Sequence, residues 1–167
     1  EIIRSAEFEF DVGIACLNSP SRTVLSGRKV ALKRALEKFR PQHVCWLHLP
    51  FAPHTAFQTR TVELLDLFLE YASNRSRHQF TFGKMKMPLA STVTGRIHSF
   101  MSPGPSHWSS QLTNTVLFEE ATNSILEFCE GSEKLVFVEV GPGNLLSMHV
   151  KKCLLAKKIE LGENIEF

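Results

Sequence analysis

No C-x-x-C pair occurs in this sequence. Its four cysteines, Cys16, Cys45, Cys129 and Cys153, lie far apart, each within an apolar run. The pattern gives no support for a cysteine metal cluster or a disulfide framework, and reduced, packed thiols remain. That usage fits an intracellular, cytoplasmic protein. No histidine pair has the H-E-x-x-H spacing, so no metal site is expected. No apolar stretch is long enough to span a bilayer. Residues Glu1 to Asp11 alternate charge and apolarity, unlike a signal peptide. The net charge is only +2, too weak a field to argue for nucleic acid or an anionic membrane. Neither G-x-G-x-x-G nor G-x-x-x-x-G-K-[ST] is present, so the glycines cradle no nucleotide by motif. The nucleophile elbow G-x-S-x-G is also missing, and every serine sits in a turn, a cap or a polar loop.

What is present is the composition of a globular domain: 167 residues, 43% hydrophobic and 22% charged. That is long enough to bury a core. Val12 to Leu17 and Thr23 to Leu25 read as strands around the turn Asn18-Ser19-Pro20-Ser21, a hairpin. Leu32, Ala35, Leu36 and Phe39 recur on one face of a helix over 29–39, which Pro41 stops. Val44 to Leu49 reads as a third strand. Strand, strand, helix, strand is most of a ferredoxin-like α+β unit, with Ile2 to Phe8 as the tail of a further helix.

Beyond residue 50 helix and strand alternate, which predicts a parallel or mixed sheet. A helix is expected over 59–72, a polar loop at Asn74 to His78, a strand at Pro88 to Val93, and a Pro/Gly/Ser loop from Ser99 to Ser106. A long amphipathic helix follows, with Phe118, Ala121, Thr122, Ile125 and Cys129 inward and Gly131 at its end. Leu135 to Val140 reads as a strand buried on both faces. The turn Gly141-Pro142-Gly143-Asn144 opens a last helix over 145–155. Free N–H groups at such a helix start can hold an anion, but a tight turn needing glycine freedom is the simpler reading.

Of seven histidines, His54 stands apart, at a strand-to-helix junction after two prolines and beside aromatics, where functional residues concentrate. The competing reading is a cap for the following helix, or a solvated ring. His43, His78, His98 and His107 fall near element ends and read as surface residues. His48 alternates with Trp46 as a half-buried strand position, and His149, beside Lys151 and Lys152, reads as solvated.

Five segments in order resemble one family. These are Val12-Gly13-Ile14-Ala15-Cys16-Leu17-Asn18-Ser19-Pro20 through Gly27, Leu49-Pro50-Phe51-Ala52-Pro53-His54, Pro88-Leu89-Ala90-Ser91-Thr92-Val93-Thr94-Gly95, His107-Trp108 through Phe118, and Phe137-Val138-Glu139-Val140-Gly141-Pro142-Gly143 through Ser147. They are similar to malonyl-CoA:acyl carrier protein transacylases and polyketide synthase acyltransferase domains, in their C-terminal, histidine-bearing part. The resemblance implies an α/β fold in which residues 1–50 are a partial ferredoxin-like small subdomain. Residues 51–167 would be the C-terminal part of a large hydrolase-like α/β subdomain.

The resemblance also implies the chemistry. A serine and a histidine move a malonyl-type acyl group from CoA to the phosphopantetheine thiol of an acyl carrier protein, in fatty acid or polyketide synthesis. No covalently bound cofactor is implied; acyl-CoA is the substrate. By position His54 is the base, Phe51, Ala52 and Pro53 shape the acyl pocket, and Asn18 faces the cleft. The turn at Gly131 and Ser132 is expected to supply the backbone carbonyl that orients the imidazole. The family's G-H-S-x-G elbow, its oxyanion segment and its carboxylate-binding arginine precede everything in this chain. The partners implied are therefore the carrier protein and a serine-bearing N-terminal half or neighbouring synthase domains, and the chain by itself is expected to be inactive. Phe51-Ala52-Pro53-His54 matches neither of the "HAFH" and "YASH" types, so acyl choice stays open. The alternative is an inactive acyltransferase-like interaction module.

Overall fold

The computed structural model describes residues 11–75, 83–159 and 165–167. The helix tail expected at Ile2 to Phe8 lies outside the described residues, as does His78. Strands β1 (Val12–Ser19) and β2 (Arg22–Gly27) form the expected antiparallel hairpin. Gly27, at the open end of the hairpin opposite Val12, has no room for a side chain: an added Cβ there would lie 2.1 Å from the Asp11 carbonyl oxygen. Helix α1 (Lys29–Phe39) lays Ala31 and Ala35 on the hairpin beside Val12, and Leu25, Leu32 and Phe39 close around them. Arg40, left-handed at φ 45°, ends the helix by returning its N–H to the Leu36 carbonyl, and Pro41 prevents continuation.

The strand expected at Val44 to Leu49 does not form. Residues 41–50 run exposed and unpaired, because a strand needs a neighbour's N–H and C=O groups and none of the described residues supplies them. For the same reason His48 is exposed rather than half-buried.

A 3-10 turn (Ala56–Gln58) leads into α2 (Thr59–Arg75). Then follow β3 (Leu89–Ala90), β4 (Ile97–His98), α3 (Pro105–Ser110), β5 (Val116–Leu117), α4 (Phe118–Phe128), β6 (Leu135–Val136), α5 (Leu145–Ala156) and β7 (Ile165–Glu166). β5 runs parallel to β1, through Cys16 with Val116 and Leu17 with Leu117, giving the sheet order β2-β1-β5. One sheet therefore joins residues from both sides of position 50, so the 1–50 and 51–167 division does not separate independent sheets. β3 pairs with β4 antiparallel and β6 with β7 parallel. Helices α4 and α5 pack on β1 and on each other, burying Ala15, Ala121, Val150, Cys153 and Leu154.

The continuous strand expected at Leu135 to Val140 is cut to two residues, and Val138 is 79% and Val140 95% exposed. A strand of that composition needs cover on both faces, and among the described residues only β7 lies beside it. His149 departs from its solvated reading, being only 4% exposed on the inner face of α5 against Phe118.

Candidate active site

The segment after the exposed 41–50 stretch is knotted by its own hydrogen bonds. The Thr55 hydroxyl and the Gln58 side-chain amide both donate to the Ala52 carbonyl, at 2.8 and 3.2 Å. Thr55 is buried, and Gly13 of β1 lies against it and the His54 carbonyl. Between these anchors His54 adopts a left-handed backbone, φ 56°. Residues other than glycine seldom adopt this conformation, and where the surroundings enforce it a function is often served.

Helix α3 supplies the enforcement. It starts with Pro105 at its first turn, where a missing N–H costs nothing. The buried Ser109 hydroxyl donates to the Asp66 carboxylate on α2. Past the helix, Leu112 and Asn114 return their N–H groups to Ser109 and Ser110. The carbonyls just past a helix end lack intrahelical partners, and here His54 takes two of them. Its backbone N–H donates to the Leu112 carbonyl at 2.9 Å, and its Nδ1 lies 2.7 Å from the Gln111 carbonyl oxygen.

A carbonyl oxygen only accepts, so His54 Nδ1 carries a proton. In the neutral ring the lone pair is then on Nε2. Nε2 has no hydrogen-bond partner among the described residues, and the side chain is half-buried. The result is an oriented imidazole whose Nε2 lone pair is unpartnered among the described residues, an arrangement able to accept a proton.

Gln111, not the turn at Gly131 and Ser132, therefore orients the ring. Gly131 and Ser132 close the far end of α4, where Ser132 N–H returns to Cys129. Nothing in the sequence marks which helix end faces His54, because both segments offer free carbonyls. Phe51 and Ala52 line a cleft of about 380 Å³ with Gly27, Arg28, Phe57 and Gln58. Arg28 lies over the Phe57 ring and its Nε contacts Asp11. Pro53 joins this group only as the link to His54. Asn18 does not: it lies five residues beyond Gly13, roughly 16 Å along β1, with its carbonyl facing Cys153 Sγ.

His107 and His98 are half-buried rather than surface rings. The Ser91 hydroxyl bonds His107 Nε2 at 3.0 Å, Thr94 bonds His98 Nε2 at 3.2 Å, and the two rings meet edge to face. Burial, with the nearby His98 charge, pushes His107 below the usual imidazole range. The Cys153 thiol, buried, is pushed up to about 11, which removes it as a nucleophile near neutrality. At the Gly141 turn the anion-holding N–H groups are already filled. Glu139 accepts from the Leu146 and Ser147 N–H groups and from the Ser147 hydroxyl. These bonds, the Ser147 hydroxyl foremost, hold the Glu139 carboxyl below its ordinary range. Among the described residues no group of three His, Cys, Asp or Glu side chains could hold a metal. No helix among them is long and apolar enough to cross a membrane.

With this geometry in hand, known proteins supply a frame. No protein-family model matches the chain. It is 28% identical over 155 residues to the highly reducing polyketide synthase apmlA of Arthrinium phaeospermum, covering 90% of this chain and 6% of that protein. It is 30% identical over 157 residues to the spectinabilin polyketide synthase system protein NorC of Streptomyces orinoci, covering 93% and 6%. Among solved structures, the acyltransferase domain from the second module of the salinomycin polyketide synthase superposes with TM-score 0.74 at 21% identity, over 97% of this chain and 34% of that one. The malonyl CoA-acyl carrier protein transacylase of Clostridium perfringens gives 0.72 at 25% identity, over 91% and 45%. A malonyl-transacylase solved in complex with its type II polyketide synthase acyl-carrier protein gives 0.70 at 22%, over 93% and 45%.

The chain is homologous to polyketide synthases, and its fold is the acyltransferase fold. It spans under a tenth of these synthases' length and under half of the solved acyltransferase chains. The α/β expectation holds within this acyltransferase fold.

Proposed function

We propose that this chain is the histidine-bearing part of an acyltransferase that moves a malonyl-type acyl group from CoA to the phosphopantetheine thiol of an acyl carrier protein. The observation that carries the reading is the Gln111 carbonyl on His54 Nδ1, which leaves the ring's lone pair on Nε2. The nucleophile is a serine on another stretch of polypeptide, since this chain has no elbow motif.

In the first half-reaction the serine O–H gives its proton to His54 Nε2 and its oxygen bonds the thioester carbonyl carbon. The C–S bond then breaks, and the CoA sulfur takes the proton from His54. In the second, the carrier protein's thiol gives its proton to His54 and its sulfur displaces the serine, which recovers the proton. The cleft beside Phe51 and Ala52 takes the acyl group. This chemistry belongs with carrier proteins in the cytoplasm. The homology to polyketide synthases and the carrier-protein complex of a similarly folded transacylase support the partner assignment.

The test adds a separately made serine-bearing acyltransferase segment from a polyketide synthase to the chain and follows labelled malonyl transfer from CoA to carrier protein. The chain alone forms no acyl ester. The mixture restores transfer, and His54→Ala lowers it by about 10²–10⁴-fold, the usual worth of a general base. Carrier-protein binding with no restored transfer, equal in wild type and His54→Ala, would instead establish a docking module.

A further inference from the structure

The Gln111 carbonyl can orient His54 only if the end of α3 is itself held, and α3 is a short helix. Besides the Ser109 bond to Asp66 of α2, it is held by the turn between β3 and β4. Ser91 and Arg96 close that turn through Ser91 N–H to the Arg96 carbonyl, and Gly95 N–H returns to the Ser91 carbonyl. From this frame two adjacent hydroxyls reach out. Ser91 Oγ meets His107 Nε2 at 3.0 Å near the start of α3, and Thr92 Oγ1 donates to Gln111 Oε1 at 3.3 Å just past its end.

The Ser91 contact has a fixed polarity. Its oxygen already accepts from Val93 and Thr94 N–H, at 3.1 and 3.4 Å, so its one proton goes to His107. His107 Nε2 is thus an acceptor, and the ring is neutral with its proton on Nδ1. Thr92 is fixed from its other side as well, its carbonyl accepting Leu117 N–H at 2.7 Å.

We infer that Ser91 and Thr92 are positioning residues for His54, clamping α3 at both ends so that the Gln111 carbonyl sets the imidazole's tautomer and direction. This inference rests on the reading of His54 as the base, but its test needs no turnover. The 167-residue chain with ¹⁵N-labelled histidine gives the protonated nitrogen of each ring, and the exchange rate of the His54 Nδ1 proton with water.

The expected wild-type pattern is a protected Nδ1 proton on His54 and an Nδ1-protonated His107. Thr92→Val removes the hydroxyl at nearly constant volume. It should speed His54 proton exchange about three- to tenfold, as loss of one hydrogen bond would, while the denaturation midpoint hardly moves. Thr92→Ser should restore protection. Ser91→Ala should release the His107 tautomer as well; if that variant fails to fold, Thr92→Val decides. Unchanged His54 exchange in Thr92→Val, or no recovery in Thr92→Ser, overturns the clamp. Failure of the transferase reading would show elsewhere, as acyl transfer that survives His54→Ala in the reassembled enzyme while the exchange pattern stands.

Discussion

The hairpin with α1 and the segment from Leu135 to Val140 carry similar apolar patterns and have opposite fates. In the first, every inward position finds a neighbour, and Ala35 is 0% exposed. In the second, Val138 and Val140 stand almost bare beside a two-residue pairing with β7. An apolar pattern declares a face to be buried without saying what buries it. The hairpin's cover follows it directly in sequence. The cover for Leu135–Val140 is not among the described residues.

The largest test of this contrast replaces one residue on each side of it. Leu154, 0% exposed where α5 meets the rest of the fold, should cost about 2–5 kcal/mol as Leu154→Ala, through lost burial and a residual cavity. Val140→Ser should shift stability by no more than about 0.5 kcal/mol. Both are read by urea denaturation of the chain. A Val140→Ser loss comparable to Leu154→Ala would show that the bare segment is packed in solution.

Exposed apolar edges also drive association. Val138→Lys with Val140→Lys should convert a self-associating chain to a monodisperse one in sedimentation. Each buried valine contributes about 1.5–3 kcal/mol, so the dissociation constant should rise at least tenfold. A wild-type chain already monomeric at high concentration would remove the contrast's energetic basis.

The division between legible and illegible follows the same line. Periodicity placed α1 at Lys29–Phe39 and α4 at Phe118–Phe128 nearly to the residue, because a helix satisfies its own backbone and needs only one covered face. Val44–Leu49 and Leu135–Val140 read as strands and are not, or scarcely, because strands depend on distant partners. Around the candidate site, His54 draws attention through its flanking prolines and the family resemblance. Gln111, Ser91 and Thr92 do not: a backbone carbonyl has no sequence signature, and hydroxyls in a turn look alike until the fold brings one against an imidazole.

A pH dependence sharpens the contrast next. His107 and His149 are both held below their ordinary value of 6.5, burial being the first cause in each, helped at His149 by Arg22 and Lys152. A histidine depressed in the folded state takes up its proton more readily when unfolded. Stability is therefore complete above about pH 6.5 and falls as pH drops below it, until the folded pKa values are passed. Glu139, depressed in the fold, acts lower: its contribution is present above 4.5 and is lost on further acidification. His149 Nδ1 is buried without a partner. His149→Phe removes that unsatisfied group and should raise stability at pH 7 by about 1 kcal/mol, while flattening the decline between pH 6.5 and 5. A steeper decline in that variant would place the acid sensitivity elsewhere.

The smallest expected effect concerns charge, and it decides whether charge could account for the contrast at all. Each region carries an exposed ion pair: Arg28 with Asp11 beside the hairpin, and Lys134 with Glu166 across β6 and β7. Their side chains are about half or more exposed, Arg28 at 71% and Lys134 at 50%. Solvent screens such pairs to roughly 0–1 kcal/mol. Lys134→Gln and Arg28→Gln should each lower stability by under about 1 kcal/mol, and raised salt should erase most of the difference. If Lys134→Gln alone unfolds β6–β7, seen as loss of amide protection at Phe137, whose N–H donates to the Glu166 carbonyl, then that edge is held by charge. Equal, small, salt-sensitive losses on both sides leave buried apolar area as the quantity that separates the two regions.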